Sequence, residues 1–476
     1  MKVPKFNEFI AEAKEEEVTN IQVAILTNKI TKNPVVFGNI LKSVCDELKI
    51  ECHLISIKEA WVAETDLDKQ TLKVSNVDGE GADVDFDISR TVVFTRAGSV
   101  DTEVGLALLS SFERAGAFMI NDRDGMLTCN NKMSSYLAFE RNNIPVPRTS
   151  IVSNVKSLED AHKRIGGKFP VIIKTMTGTQ GIGVSIVNDY QSMVSVIQSL
   201  WKYKAELIIQ EHMKFDYDIR TLVLDGKIVG CTKRIKPQHD FRSNRHMGAK
   251  TEPYKLSKEE KEAVILASRA VGTTLVGVDH IIVDGEIMIL ECNGSPGFGS
   301  DYMAYNIKTG KPIERTNNKG IMKNIIQYIQ KPIRRKPSFQ IESGYLERIE
   351  IDGIGPIRAK FDTGNGTKAS MFAVDELEID GKTASWSYHG KKFKSKIVGV
   401  SNPEHINMKE ERPIIELDIK FNNRVYNNVP FGLTKEDAKS TILINRDLLT
   451  RFRVSVNPNR RFVLSDYIEK EDNNDT

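Results

Sequence analysis

The secondary-structure pattern of the sequence changes near residue 340. The chain must therefore contain at least two domains of different fold class. Before the change, short runs rich in β-branched residues alternate with segments that have helical apolar spacing. From Tyr345 onward, short strand-like runs follow one another with almost no helical spacing. A chain of 476 residues is also too long for one ordinary core. We therefore predict α/β and α+β domains followed by a small all-β domain.

The alternating part divides near residue 122. The apolar run that starts at Ile21 opens a series of strands separated by helices, which indicates a parallel sheet with helical crossovers. The segment KPIRRKPS reads as a linker, with a nucleic-acid contact as the alternative. The predicted parts are a charged leader at 1–19, an α/β domain at 20–122, an α+β domain at 123–330, a basic linker at 331–341, an all-β domain at 342–468 and an acidic tail at 469–476.

Charge and cysteine content exclude several classes of protein. The 67 basic and 64 acidic residues nearly cancel and form no basic stripe interleaved with aromatics, so nucleic acid is not an expected partner. Five scattered cysteines without a CxxC pair argue against a disulfide framework or a zinc knuckle. The start of the chain is unlike a secretory signal, and no apolar run reaches the ~18 residues of a membrane span. These features predict a cytoplasmic protein without a membrane partner.

A glycine-rich loop follows a predicted strand in the segment PVIIKTMTGTQGIGV. Lys174 ends the strand, and Gly178, Gly181 and Gly183 follow it. Glycines let backbone N–H groups approach phosphate oxygens, and the lysine adds a positive charge. The loop is not a Walker loop, because no GK[ST] follows and strands are predicted on both sides. Phosphate binding and a plain hairpin turn both fit this pattern.

A predicted hairpin, VDHIIVDGEIMILECNGSPG, places Asp279, Glu291 and Asn293 among apolar residues. Oxygen donors on a rigid sheet suit Mg²⁺, although an ordinary exposed strand end would also explain them. A simple two-residue turn would pair Asp279 with Leu290 and leave Glu291 on the opposite face. A shared metal site therefore requires an extra loop residue or a bulge, with Asp284 or Gly285 at positive φ. We expect the hairpin not to be closed by a simple two-residue turn.

Cationic residues are concentrated between the glycine-rich loop and this hairpin. QEHMKFDYDIR contains Arg220, and KRIKPQHDFRSNRHMGA contains Arg234 and Arg242 among its basic residues. Such a concentration favours the stabilisation of negative charge over a merely solvated surface.

Together these motifs resemble the ATP-grasp superfamily, and specifically the RimK-type ribosomal-protein glutamate ligases, over residues 20–330. The most specific parts are GTQGIGV, DFRSN and the D…E-x-N-x-SPG hairpin, in the expected order and spacing. The resemblance implies Mg²⁺, or Mn²⁺ as an alternative, held by Asp279, Glu291 and Asn293. It gives Arg220, Arg234 and Arg242 catalytic roles. It assigns the binding of ATP to Lys132, Lys174, Gly178, Gln180, Gly181, Gly183, Gln210, Glu211, His212, Asp218, Arg242, Ser243 and Asn244.

The activity implied by this resemblance is an ADP-forming carboxylate–amine ligase that works through an acyl phosphate. We expect it to add glutamate or a similar amino acid to a peptide or protein C-terminus, and to act as a homodimer or homotetramer. One alternative is a ligase for free small molecules whose β domain serves only assembly. The other is a tail-binding module without catalysis.

The all-β part contains Asp362-Thr363-Gly364 after an apolar strand, with STILINRDLLTRF about eighty residues later. This pairing resembles the retropepsin-like half of aspartic proteases, in the branch named ATP-dependent zinc proteases. The resemblance implies that Asp362 from two copies of the chain would form one peptidase site. Two features depart from it: Asn445 replaces the usual glycine, and no HExxH motif supports zinc. A structural turn and an inert peptide-binding or dimerising module remain alternatives.

Overall fold

The computed structural model describes residues 21–28, 30, 37–66, 71–96, 102–178, 183–237, 249–298, 301–330, 341–401, 412–422, 424–435, 441–452 and 454–465. The chain forms two compact units, Met1–Ser338 and Phe339–Thr476.

The first unit begins with a parallel sheet and a small antiparallel one. Its elements are β1 (Gln22–Thr27), α1 (Phe37–Glu47), β2 (Glu51–Ser56), β3 (Trp61–Asp66), β4 (Thr71–Ser75), β5 (Val84–Asp87), β6 (Thr91–Thr95), α2 (Glu103–Ala115) and β7 (Phe118–Ile120). The parallel sheet has the order β2-β1-β6-β7, and β3-β4-β5 is antiparallel. Strand β1 is buried on both faces, because Val23 and Ile25 belong to one apolar core and Ala24 and Leu26 to another.

A four-stranded antiparallel sheet, which we call the loop lobe (149–211), carries the glycine-rich loop. Two helices precede it, and the elements are α3 (Arg123–Asn130), α4 (Lys132–Arg141), β8 (Thr149–Val152), a 3₁₀ turn (Val155–Ser157), α5 (Leu158–Arg164), β9 (Val171–Thr175), β10 (Val184–Val187), α6 (Tyr190–Trp201) and β11 (Leu207–Glu211). The strand order is β10-β9-β11-β8. Residues of α5, α6 and the strands form an apolar core that contains only residues of this lobe.

The largest sheet of the first unit carries the acidic hairpin. The elements are β12 (Tyr217–Leu224), β13 (Lys227–Ile235), β14 (Lys250–Pro253), α7 (Lys258–Ala270), β15 (Leu275–Val283), β16 (Glu286–Asn293), β17 (Tyr302–Tyr305), β18 (Pro312–Thr316) and α8 (Asn318–Ile329). The order is β16-β15-β12-β13-β17-β18, with β14 paired to β13. Ile219 and Val223 of β12 pack in a core with α7, whereas Leu222 and Leu224 join the core of the N-terminal sheet. The strand's period of two therefore leaves Asp218 and Arg220 on the face opposite α7.

Asn121 joins the N-terminal sheet to the largest sheet. Its fully buried side chain donates to the carbonyl oxygens of Leu275 (2.6 Å) and Gly294 (2.7 Å) and accepts from the N–H of Leu275 (2.7 Å). Leu275 begins β15, and Gly294 follows β16. One buried amide thus fixes both ends of the acidic hairpin against the N-terminal sheet.

The second unit consists of strands and one described helix. The elements are β19 (Ile341–Ile351), β20 (Gly355–Phe361), β21 (Ser370–Ala373), β22 (Glu376–Asp380), β23 (Thr383–Tyr388), β24 (Lys391–Lys396), β25 (Gly399–Ser401), β26 (Arg412–Phe421), β27 (Arg424–Thr434), β28 (Ile442–Ile444), α9 (Arg446–Phe452) and β29 (Val454–Arg461). Eight strands form a sheet in the order β25-β26-β27-β21-β28-β20-β19-β29, and β22-β23-β24 form another. Of the helices that the structure describes, none is long and apolar enough to cross a membrane.

Candidate active site

The hairpin of β15 and β16 is closed by a two-residue turn and corrected by a bulge. Asp284 (φ 52°) and Gly285 (φ 84°) form the turn, with Val283 paired to Glu286. Our expectation that a simple two-residue turn would be absent is therefore wrong. The predicted bulge, however, is present. The register shifts after Asp279, so that Asp279 pairs with Glu291 and not with Leu290. Both carboxylates consequently lie on the same face of the sheet.

Two arginines on neighbouring strands surround Asp279 on this face. Arg220 lies opposite Asp279, and Arg234 lies opposite Asp218. Arg220 donates from Nε and Nη2 to the two oxygens of Asp279, each at 2.6 Å. Arg234 donates from Nη2 to Asp279 (2.8 Å) and from Nε to Asp218 (2.7 Å). The result is a network of two arginines and two aspartates, which we call the ion cluster.

The ion cluster keeps Asp279 charged although it is buried. The side chain of Asp279 is only 2% exposed. Burial favours the neutral acid, but Arg220 and Arg234 outweigh this effect and lower the pKa of Asp279 to about 2. Asp279 is thus a fixed negative charge that orders the two arginines.

Glu291 stands beside the ion cluster and is open to solvent. Its side chain is 42% exposed and lies 3.8 Å from Nη2 of Arg220. The Nδ2 group of Asn293, two residues along the same strand, donates to Oε1 of Glu291 at 3.1 Å. Within the described residues, no group of three His, Cys, Asp or Glu side chains lies close enough to hold a metal. Glu291 and Asn293 are accessible oxygen donors, whereas both oxygens of Asp279 already accept from arginines.

The glycine-rich loop brings two lysines to the edge of the loop lobe. Nζ of Lys132 donates to the carbonyl of Gly178 (3.1 Å), and Nζ of Lys174 donates to Oε1 of Gln210 (2.6 Å). Burial lowers the pKa of Lys174 to about 8; the charge of Glu291 opposes this shift and that of Lys132 adds to it. Glu291 likewise raises the pKa of Lys132 against the larger effect of burial. The two lysines and Glu291 therefore share one electrostatic environment.

Gly178 and Gly183 have the backbone that glycine favours, with φ of 127° and 77°. A Cβ at residue 183 would lie 2.6 Å from Oγ1 of Thr175, so a side chain there would also clash. Gln180 and Gly181 lie outside the described residues, as do Arg242, Ser243 and Asn244.

The strand end at Glu211 is held by a residue that the sequence reasoning missed. The N–H and Nε groups of Arg148 donate to the carboxylate of Glu211 at 2.7 and 2.8 Å. The carboxylate of Glu211 is thus engaged within the protein. His212 follows it, and burial, with Lys236 and Lys214 nearby, lowers the pKa of its imidazole. Arg148 was hidden because its partner is 63 residues away in sequence.

In the second unit, the loop that contains Asp362 is docked against the end of β28. The N–H of Asp362 donates to the carbonyl of Ile444 (3.0 Å), and β20 runs parallel to β28 at this point. Oδ1 of Asp362 accepts from the N–H of Gly364 at 2.9 Å. As a residue, Asp362 is half-buried at the start of an exposed turn.

Asn445 supports this loop with its side chain. It is 2% exposed, and its Nδ2 group donates to the carbonyl of Thr367 at 2.7 Å. Its Oδ1 accepts from the N–H of Leu448 (3.0 Å), in the first turn of α9. Asn445 is not among the described residues with positive φ, so left-handed backbone does not explain its presence. Its contacts to the loop and the helix do.

Sequence comparison identifies the first unit. Residues 129–315 match the family model of the RimK-like ATP-grasp domain. The probable alpha-L-glutamate ligase of Methanococcoides burtonii is 32% identical over 242 residues, which are 50% of this chain and 76% of that protein. The probable alpha-L-glutamate ligase of Shewanella loihica is 32% identical over 248 residues, which are 52% of this chain and 77% of that protein.

Solved structures with a similar course of the chain include two named ligases. The VanG D-Ala:D-Ser ligase from Enterococcus faecalis is 18% identical with a TM-score of 0.47, over 65% of this chain and 99% of that one. The ATP-grasp ligase PsnB, complexed with a minimal precursor, is 17% identical with a TM-score of 0.43, over 58% and 91%. These overall likenesses are low, and the assignment rests on the sequence matches. The chain belongs to the RimK-like ATP-grasp family and is an ATP-dependent carboxylate–amine ligase.

Proposed function

We propose that the chain adds glutamate, or a similar amino acid, to the C-terminal carboxylate of a peptide or protein. The family supplies the reaction class, and the names of the relatives supply the amino acid. The observation that carries the proposal is the sheet face where the ion cluster meets Glu291. This face combines two guanidinium groups, each held in place by an aspartate, with an accessible carboxylate that can hold a cation against anionic substrates.

The chemistry proceeds in two displacements. A carboxylate oxygen of the acceptor attacks the γ-phosphorus of ATP, the bond to ADP breaks, and an acyl phosphate forms. The amine of the incoming amino acid attacks the acyl carbon, phosphate leaves, and the nitrogen loses a proton. Arg220, which pairs with Asp279 and lies 3.8 Å from Glu291, would help to stabilise the negative charge that develops in both steps.

The nucleotide would lie between the loop lobe and this face. Lys132 and Lys174 would bind its phosphates. Both lie at the glycine-rich loop, and the negative charge of Glu291 raises the pKa of each of them. The base and ribose would lie along the strand end formed by Gln210, Glu211 and His212. Arg148 accepts from the N–H of Glu211 and donates to its carboxylate, which favours the backbone carbonyl of Glu211 as the contact to the base. Other proposed nucleotide contacts are Gly178, Gln180, Gly181, Gly183, Asp218, Arg242, Ser243 and Asn244.

Glu291 and Asn293 fit a divalent cation best. Both are oxygen donors on one strand face, and the Asn293 amide can turn to present its oxygen. Asp279 fits less well, because Arg220 and Arg234 donate to both its oxygens. Mg²⁺, or Mn²⁺, would neutralise phosphate oxygens when bound, while Asp279 keeps the arginines in place.

Incubation with ATP, labelled amino acids and candidate acceptor peptides tests this proposal. We expect ADP release and a mass increase of one residue or more at the peptide C-terminus. ADP release only with a free small acid would favour a small-molecule ligase, in which the second unit serves assembly. Absence of ADP with every acceptor, together with retained peptide binding, would favour a tail-binding module.

As a second activity, we propose that two copies of the second unit form an aspartic-type peptidase in a homo-oligomer. The supporting observation is the position of Asp362 in a loop that is held by the carbonyl of Ile444 and by the side chain of Asn445. One carboxyl would retain a proton while the other activates water, which gives a bell-shaped pH profile.

An oligoglutamate-tailed peptide, incubated across pH 4–8, tests the peptidase. Cleavage by the wild type is expected to disappear in Asp362→Asn and to persist in Asp447→Asn, a matched change at an exposed residue of α9. Cleavage that survives Asp362→Asn would rule out the aspartic mechanism. Binding without cleavage by either protein would favour an inert peptide-binding module.

A further inference from the structure

Arg96 reaches from the N-terminal sheet to the segment that follows the acidic hairpin. It comes directly after β6, and its N–H donates to the carbonyl of Leu26 (2.8 Å) at the end of β1. Its Nη2 group donates to the carbonyl of Pro296 at 2.7 Å. Its guanidinium carbon lies 3.8 Å from the centre of the Phe37 ring. Hydrogen bonding and stacking therefore fix the position of this side chain.

Two other donors of Arg96 have no hydrogen-bond partner in the part of the chain that the structure describes. Its Nε and Nη1 atoms are buried and have no hydrogen-bond partner among the described residues. Burial lowers the pKa of Arg96 to about 9, and the charge of Tyr302 opposes this shift. Within the part of the chain that the structure describes, no carboxylate pairs with Arg96. Arg96 as a whole is half-buried, and a cation with two donors that no described group satisfies is an incomplete arrangement, which an anionic ligand would complete.

Arg96 borders the same space as the ion cluster. Pro296, which accepts its hydrogen bond, packs above Gly277 of β15. A Cβ at residue 277 would lie 2.8 Å from Cβ of Pro296 and 3.7 Å from Cδ of Arg220. Gly277 also pairs with Asn293, beside Glu291. The guanidinium of Arg96 is thus next to the face where the proposed reaction takes place, on the side of the N-terminal sheet.

We propose that Arg96 binds a carboxylate of the amino acid that contributes the amine. This inference rests on the proposed ligase function. An amino acid joined through its amine keeps its α-carboxylate, and glutamate also keeps a side-chain carboxylate. Either group can accept from the unused donors of Arg96 without entering the chemical step. The N-terminal sheet would then select the incoming amino acid, while the loop lobe binds ATP.

The variant Arg96→Gln tests this binding role. Its side chain keeps an amide that can donate a hydrogen bond, but the positive charge is lost. The matched control is Arg90→Gln, near the other end of β6, where Arg90 pairs with Glu51 and Asp87. We expect KM for glutamate to rise about 10- to 100-fold in Arg96→Gln, the range of one charged hydrogen bond. Affinity for a nonhydrolysable ATP analogue and the melting temperature should stay unchanged, and Arg90→Gln should match the wild type.

Two analogues identify the carboxylate. Glutamine keeps only the α-carboxylate, and glutamate α-amide keeps only that of the side chain. The wild type should discriminate against the analogue that lacks the bound group, and Arg96→Gln should lose this discrimination. An unchanged KM, or a parallel loss of ATP-analogue affinity and thermal stability, would overturn the proposal in favour of a structural arginine.

The outcome is separable from that of the proposed function. ADP release by the wild type shows whether the chain is a ligase for glutamate. If another amino acid supports release, KM for that amino acid is compared between the wild type and Arg96→Gln. If the wild type releases no ADP with any amino acid, the proposed function fails. Calorimetric titration of glutamate into the wild type and Arg96→Gln, both with the ATP analogue, then tests Arg96 alone. Equal affinities in that titration would overturn the proposal.

Discussion

At the scale of single residues, the two hairpin carboxylates have different surroundings and should respond differently to substitution. Asp279→Asn removes a buried charge that two arginines share, whereas Glu291→Gln alters a side chain that is 42% exposed. We expect both variants to lose about a thousandfold or more in ligation rate. Only Asp279→Asn should also lower the melting temperature, because breaking a buried ion pair costs about 3–5 kcal/mol.

ADP release and thermal unfolding of both variants check this distinction. Near-normal turnover of Glu291→Gln at saturating Mg²⁺ would contradict its assignment as a metal ligand. Equal melting temperatures for both variants would contradict the structural role of Asp279.

Lys174 should make nucleotide binding depend on pH. Burial lowers its pKa to about 8, so the free protein loses this positive charge as the pH rises through that value. We expect affinity for a nonhydrolysable ATP analogue to fall by up to about tenfold per pH unit above pH 8. The free energy of unfolding has the opposite pH dependence. Between about pH 8 and the ordinary lysine pKa, residue 174 binds more protons in the unfolded chain than in the folded one, so the stability of the fold rises with pH.

Calorimetric titration between pH 7 and 9.5 measures the effect. Lys174→Met should bind weakly with little pH dependence, and Lys168→Met, a matched change at an exposed lysine, should follow the wild type. A pH profile of Lys174→Met that matches the wild type would show that another group titrates.

The sequence predicted those candidate site residues that lie close to one another in the chain. Lys174 stands at a glycine-rich loop, and Glu291 and Asn293 are two residues apart, so spacing alone brought them to attention. Arg148 and Arg96 were missed because their partners are 63 and 200 residues away. No local pattern marks an arginine whose role depends on so distant a contact.

At the scale of elements, the free energy of unfolding should depend on which residues form the turn of the acidic hairpin. Both turn residues have positive φ, as a type I′ turn requires. Gly285→Ala should lower the free energy of unfolding by about 1–2 kcal/mol, because a Cβ is disfavoured in this backbone region. Asp284→Gly should leave the stability equal or higher, since it removes a side chain from the same region. Urea denaturation of both variants measures this, and equal losses would contradict the turn assignment.

The elements also show where pattern reasoning stops. The alternation of strands and helices correctly predicted the parallel sheet around β1. The small sheet β3-β4-β5 was missed, because β3 is largely exposed and has no clear apolar period. The acidic hairpin needed either a longer loop or a bulge, and the sequence could not choose between them. Register depends on pairing energies along both strands, which single-strand patterns do not contain.

At the scale of the whole molecule, the ligase and Asp362 belong to different compact units. Every described residue of the candidate ligase site lies in Met1–Ser338, and Asp362 lies in Phe339–Thr476. We therefore expect Asp362→Asn to leave the rate of ADP release unchanged. A kinetic assay with saturating ATP and acceptor measures this. A large loss of ligation in this variant would mean that the second unit contributes to the first reaction.

The separate apolar cores of the first unit determine which of its parts can move as rigid bodies. The N-terminal sheet and the largest sheet share one core, to which Val23 and Leu222 both belong, and Asn121 ties the two sheets together. The loop lobe has a core of its own. A rotation of this lobe as a hinged body would therefore open no other core. Nucleotide binding would then move Lys174 toward Glu291. Arg96 and Glu291 would keep a constant separation, because they lie on the two sheets that share a core.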